Sequence, residues 1–166
     1  MKTEQDMQPR EDVAIGGEVL IEVIRDTPEG PKVVHSQICK NTIVNVGKKR
    51  LWKMAIGTIT KQFRFMRLGK NSAAVGSADT NVKTALASAS IKTVDSKTVD
   101  AGRTYKWLLS YPTGVGSLSS PAIKEIILMD AKTSPGGSIL MRALVSPVVA
   151  KTTSDKVRFT YKARIT

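Results

Sequence analysis

The chain has 166 residues, 41% hydrophobic but only 5% aromatic, and its 26 basic residues against 14 acidic ones give a formal net charge of +12. That length and apolar content suit one domain with a core of Val, Ile, Leu, Met and Ala, and exclude global disorder. A single cysteine, Cys39, rules out an intrachain disulfide, and with one histidine, His35, a structural zinc site lacks ligands.

No apolar run approaches the roughly 18 residues of a membrane-spanning helix, so no membrane partner is expected. The start, Met1-Lys2-Thr3-Glu4-Gln5-Asp6, is polar and unlike a secretory signal, so an origin in the cytoplasm is expected. Residues 1 to 17 carry few apolar groups and read as an extended N-terminal arm ending in a flexible Gly16-Gly17 joint. Residues 18 to 166 read as a single β-rich domain. Glu18 to Arg25 places Val19, Ile21 and Val23 on one side, and its β-branched residues favour a strand. The cluster Asp26-Thr27-Pro28-Glu29-Gly30-Pro31 is a turn, and Lys32 to Cys39 returns as the second strand of a hairpin.

Asn41-Thr42 supplies an N-cap for a helix over Ile43 to Ile56. Val44, Leu51, Trp52 and Ala55 form its apolar face, Lys48, Lys49, Arg50 and Lys53 its cationic one, and Gly57 its stop. A strand begins at Phe63, a Gly/Ala/Ser/Asn-rich loop covers residues 69 to 79, and a helical turn is expected within residues 81 to 87. Strands follow at Ile91 to Val99, at Arg103 to Tyr111 with Tyr105, Trp107 and Leu109 on one side, and at Ala122 to Met129. A loop at residues 112 to 120 and a turn at Ser134-Pro135-Gly136-Gly137 separate these from Ser138 to Val145. The last strand, Lys156 to Ile165, alternates strictly: Val157, Phe159, Tyr161, Ala163 and Ile165 against Lys156, Arg158, Thr160, Lys162 and Arg164. Such alternation buries one face and leaves the cationic one in water. Many short strands with Gly/Pro turns predict a mainly β, antiparallel sandwich of jelly-roll or immunoglobulin-like type, with one helix.

No catalytic constellation stands out. His35 lies in an extended segment away from any nucleophile motif, and Cys39 reads as a small buried hydrophobe. Gly114-Val115-Gly116 and Gly136-Gly137 do not open helices as phosphate loops do. The carboxylates Asp79, Asp95, Asp100, Glu125, Asp130 and Asp155 are scattered, and both Trp52 and Trp107 read as core. A non-enzymatic protein without cofactor or metal is the expectation. Charge gives the candidate interaction residues. Residues 1 to 31 carry a net −5 and the remainder +17. The arm residues Glu4, Asp6, Glu11 and Asp12, the helix residues Lys48, Lys49, Arg50 and Lys53, and the strand residues Arg158, Lys162 and Arg164 suggest docking between unlike surfaces of neighbouring subunits. Contact of the same cations with nucleic acid is the rival, weakened because Phe159 and Tyr161 face away from the strand's cations.

An ordered set of short motifs resembles a family. Asn41-Thr42-Ile43-Val44-Asn45-Val46-Gly47 resembles an "NLVVNxG" segment found in small structural proteins of tailed bacteriophages. Phe65-Met66-Arg67-Leu68-Gly69 is similar to their "xxLG" strand end, Ala78-Asp79-Thr80 with Leu86 to a "TDT-like" loop, and Ile123-Lys124-Glu125-Ile126-Ile127-Leu128 to "I-x-E-I-x-L". Gly137 to Ala143 is similar to "G-x-L-x-A-R-A", and Pro147-Val148-Val149-Ala150-Lys151 to a "P-V-x-K" turn. The order is kept over residues 32 to 166. Departures are Lys70-Asn71 where glycines are usual, Met141 in the "ARA" element, and the acidic arm, which lies outside the pattern.

The resemblance implies a sandwich-like virion component. The expected role is capsid decoration (cement), by a homo-oligomer contacting the major capsid protein, with neck, tail or baseplate/fibre attachment as the alternative.

Overall fold

A computed structural model describes residues 15–58, 60, 62–80, 91–100, 104–112, 123–131, 139–149, 152 and 154–165. Among these it is mainly β and antiparallel with one helix, as expected. The elements are β1 (Ile15–Thr27), β2 (Gly30–Ile43), α1 (Asn45–Ala55), β3 (Phe65–Gly69), β4 (Ile91–Thr93), β5 (Ser96–Asp100), β6 (Thr104–Tyr111), β7 (Ile123–Met129), β8 (Ile139–Val149) and β9 (Asp155–Ile165). The nine strands form one sheet in the order β4-β3-β7-β8-β2-β1-β9-β6-β5.

The hairpin β1–β2 is longer than its hydrophobic alternation alone indicates. Only Pro28 and Glu29 close it, with Thr27 paired to Gly30. Gly30 sits at φ 112°, a conformation side chains oppose, and Thr27 Oγ1 donates to its carbonyl at 2.7 Å. Gly16 and Gly17 form no joint: both lie in β1, opposite Arg164 and Ala163 of β9. The rest of the expected arm, residues 1 to 14, lies outside the described residues, as do the helical turn at 81 to 87, most of the loop at 112 to 120 and the turn at 134 to 137.

β2 explains why the sheet curls. Its residues from Gly30 to Lys40 pair with β1, whereas Asn41, Thr42 and Ile43 pair with Ala143, Arg142 and Met141 of β8. One strand thus carries the sheet from one half to the other. The strand expected over Ile91 to Val99 breaks at Val94 and Asp95 into β4 and β5, which stand at opposite ends of the sheet order. Val94 N–H donates to Arg64 O at 2.8 Å and Asp95 N–H to Leu108 O at 2.7 Å, so this corner ties the two ends together.

The concave side holds the main core. Val19, Ile21 and Val23 of β1 and Val157, Phe159 and Tyr161 of β9 are sealed against Met66, Ile126 and Leu128 from the other half. Each fully buried side chain of this size contributes about 1.5–3 kcal/mol. The polar tips of the aromatics are satisfied across the interior: Tyr161 Oη–H donates to Ile126 O at 2.8 Å, and Trp107 Nε1–H to Phe63 O at 3.0 Å. Trp107 is core, as expected.

A smaller cluster lies on the convex side, where Val44 and Val46 cover Phe65, Ile127, Met129 and Ile139. α1 therefore lies against β8, with its Val46 packed on this cluster and its Leu51 on the main core. The expected N-cap is displaced, because Asn41 to Ile43 are spent on pairing with β8 and the helix starts at Asn45. Its end is as expected. Gly57 adopts φ 72°, and Thr58 N–H donates to Lys53 O at 2.9 Å, the bond of a Schellman motif. Pro147 to Val149, expected as a turn, continue β8, with Val149 opposite Ile123.

Candidate functional site

Three arrangements of charged or polar side chains organise the described surface and interior. The first is a buried ion cluster on the convex side. Arg142 of β8 is fully buried; its Nε donates to Glu125 Oε2 at 2.8 Å, and Nη2 lies 2.7 Å from the same oxygen. Nη1 donates to Asp79 Oδ2 at 2.9 Å and to Ala74 O at 3.2 Å, and Nη2 to Ala73 O at 3.1 Å. The pairing β7–β8 sets Arg142 beside Ile127 and Glu125 beside Leu144, one diagonal step apart on the same face. Asp79 in turn accepts from Gly76 N–H at 2.9 Å, which folds residues 73 to 79 over the sheet. Asn45 N–H at the start of α1 donates to Ser77 O at 2.7 Å, so loop, helix and sheet meet here.

Two glycines make room for this meeting. A Cβ on Gly69 would stand 2.6 Å from Glu125 Cδ, and one on Gly47 would stand 2.7 Å from Leu140 Cα and 2.8 Å from Ile139 O. The carboxylates Asp79 and Glu125, scattered in sequence, are thus brought together. Sequence reasoning missed this because the bridge is an arginine 63 and 17 residues away. A guanidinium held by two carboxylates and two carbonyls has its donors committed, so the cluster is suited to locking the fold.

The second arrangement is the cationic side of β9. Its lysines and arginines meet the acids of β1 directly across the ladder: Lys162 opposite Glu18, Nζ to Oε1 2.9 Å, and Arg158 opposite Glu22, Nε to Oε2 2.8 Å. Lys156 reaches Asp26 at 2.9 Å, and Arg25 grips Asp155 at 2.8 Å. Glu22 raises the Arg158 pKa further above its ordinary value through this hydrogen bond. Asp155 is held well below the usual carboxylate range, first by the Arg25 hydrogen bond and then by Thr152, whose N–H and hydroxyl donate at 2.9 and 2.8 Å. Three of the eight acids in residues 1 to 31, Glu18, Glu22 and Asp26, therefore neutralise cations of the same chain. Of the candidate strand residues, Arg158 and Lys162 are internally paired, while Arg164 is exposed at the end of β9. Glu4, Asp6, Glu11 and Asp12 lie outside the described residues.

The third arrangement is the solvent side of α1. Lys48, Lys49 and Lys53 are exposed as expected, but Arg50 turns inward to Asp130, Nη2 to Oδ2 2.7 Å. Trp52, expected in the core, is 68% exposed, and Ile56, one turn on, is 59% exposed. The core contacts go instead to Val44, Val46 and Leu51, which lie on the side that Gly47 lets approach β8. Cys39 is buried, and His35 Nε2 lies 2.8 Å from Gln37 Oε1. Among the described residues no group of three or more His, Cys, Asp or Glu side chains gathers as a metal site would require, and no helix is long and apolar enough to cross a membrane. Comparison with protein-family models, with curated proteins and with solved structures finds no match to this chain in any of the three.

Proposed function

We propose that this chain is a structural component of a tailed-bacteriophage particle, most simply a capsid decoration (cement) protein that binds the major capsid protein and neighbouring copies of itself without catalysing a reaction. The observation that carries this reading is the convergence of the motif residues. Gly47, Gly69, Asp79, Glu125 and Arg142 come from five separate elements of the ordered motif set, and they meet in and around one buried cluster. The resemblance thus concerns residues that hold the fold together, where order and spacing carry structural meaning. A sandwich-like architecture belongs to the same proposal: β2 links two half-sheets whose inner sides share one core.

Neck, tail or baseplate attachment is the alternative location. Direct DNA binding is the second reading, favoured by the exposed Trp52 beside Lys48, Lys49 and Lys53. The carboxylates of β1 oppose it by interrupting the cations of β9.

Quantifying the chain in purified particles by mass spectrometry tests the proposal. Incorporation in many copies per particle is expected; absence from the particle sinks it. DNA binding that is submicromolar and steeply salt-dependent at physiological ionic strength favours the second reading instead.

A further inference from the structure

We infer that the solvent side of α1, centred on Trp52 and Ile56 and flanked by Lys48, Lys49 and Lys53, docks onto a different protein of the particle that offers an apolar groove rimmed by carboxylates. This rests on the particle reading above and names the docking surface within it.

The helix is divided cleanly. Val46, Gly47 and Leu51 face the sheet, and Arg50 is tied to Asp130. Positions 48, 49, 52, 53 and 56 follow the one-turn spacing of a single stripe on the other side. An indole and an isoleucine side by side, each more than half exposed, form an apolar ridge in water. Buried tryptophans of this kind anchor protein interfaces, and an apolar helical ridge fits a groove.

Charge selects the partner. Among the described residues Lys48, Lys49 and Lys53 form no ion pair, so they remain available to carboxylates around the ridge. Among the described residues a second copy offers that rim little: Glu18, Glu22, Asp26, Asp79, Glu125, Asp130 and Asp155 are each paired with a cation of their own chain, Asp95 holds Ser110 N–H, and Glu29 stands exposed at the tip of the β1–β2 hairpin. Nucleic acid is disfavoured because Ile56 offers no ring for base stacking and the β9 cations are interleaved with the acids of β1.

The test uses particles assembled without this chain as the probe. Purified full-length protein is titrated onto them at physiological ionic strength, and bound and free fractions are separated by sedimentation. Wild type is expected to bind saturably. Trp52→Ala, and the triple change Lys48→Glu, Lys49→Glu, Lys53→Glu, are each expected to bind at least about tenfold more weakly, the loss typical of an interface anchor. Their thermal midpoints should stay at the wild-type value. Lys32→Glu, exposed on the far hairpin, should bind like wild type.

Equal binding by wild type and the helix variants overturns this inference and leaves the particle reading standing. Failure of wild type to bind overturns the particle reading, and the docking assignment with it. Dimers of the free protein that dissolve in Trp52→Ala assign the face to a second copy. Binding to a thymidine oligonucleotide of about 30 nucleotides that the same variants lose, with particle binding intact, assigns it to nucleic acid.

Discussion

Arg142 and Glu125, neighbours on adjacent strands, form an ion pair with both side chains sealed from solvent, and the same guanidinium also holds Asp79. One guanidinium thus serves two carboxylates. Breaking a buried pair by removing one partner costs about 3–5 kcal/mol, because the other charge is left in a poorly solvating interior. Arg142→Leu removes the buried cation that both carboxylates contact, whereas Glu125→Gln leaves Arg142 paired with Asp79. Arg142→Leu should therefore lower the unfolding free energy by about 3–5 kcal/mol, and Glu125→Gln by clearly less. Urea denaturation of both variants checks this; equal losses would argue against the shared-cation geometry.

Gly47 is where α1 comes closest to the sheet. A methyl group there meets the Leu140 backbone, which cannot rotate away as a side chain could. Gly47→Ala should destabilise by about 1–3 kcal/mol, the usual cost of overpacking, despite alanine's better helix propensity. Gly16→Ala, with open space around its Cβ, should be nearly neutral. Thermal melts of the two variants separate packing from propensity.

Asp155 gives the fold a specific acid sensitivity. Its folded pKa is depressed by Arg25 and Thr152, while an unfolded aspartate titrates near about 3.9. A depressed folded value means the unfolded state takes up the proton first as pH falls. The stabilisation from Asp155 is thus complete above about pH 5 and is lost progressively below about pH 4. Asp155→Asn should melt below wild type at pH 7, and the gap should narrow by pH 3. A gap that does not change with pH would remove the carboxylate from the explanation.

The cross-strand pair Glu22–Arg158 is partly exposed, so it is expected to contribute no more than about 1 kcal/mol, and less in high salt. Glu22→Lys should destabilise by setting like charges opposite each other, and adding Arg158→Glu should recover most of the loss. Denaturation of the single and double variants measures the coupling. No recovery would mean that these charges do not neutralise each other within the chain.

The strands were the legible part of this sequence, since period-two alternation with one buried face needs no partner to be recognised. Val157, Phe159 and Tyr161 lie inside because β9 alternates without interruption. What the cations on the other side of β9 do depends on register, and no local pattern shows that Glu18 stands opposite Lys162 across 144 residues. The helix was legible in type and at its Gly57 end, but not in orientation. Its sequence offers apolar residues on more than one side, and the close approach at Gly47 decides that Leu51 goes inward and Trp52 outward. The corner at Val94 and Asp95 was hidden because alternation runs straight through it; the break comes from bonding to Arg64 on one side and Leu108 on the other. The Arg142 cluster is wholly non-local, and neither spacing nor periodicity indicates that Asp79, Glu125 and Arg142 meet.

The most direct test of the proposed function is an image of the intact particle at a resolution that traces strands. The account expects the curled nine-stranded domain at symmetry-related positions on the particle, with the Trp52 side of α1 against a neighbouring protein. A particle in which this domain is absent would contradict it.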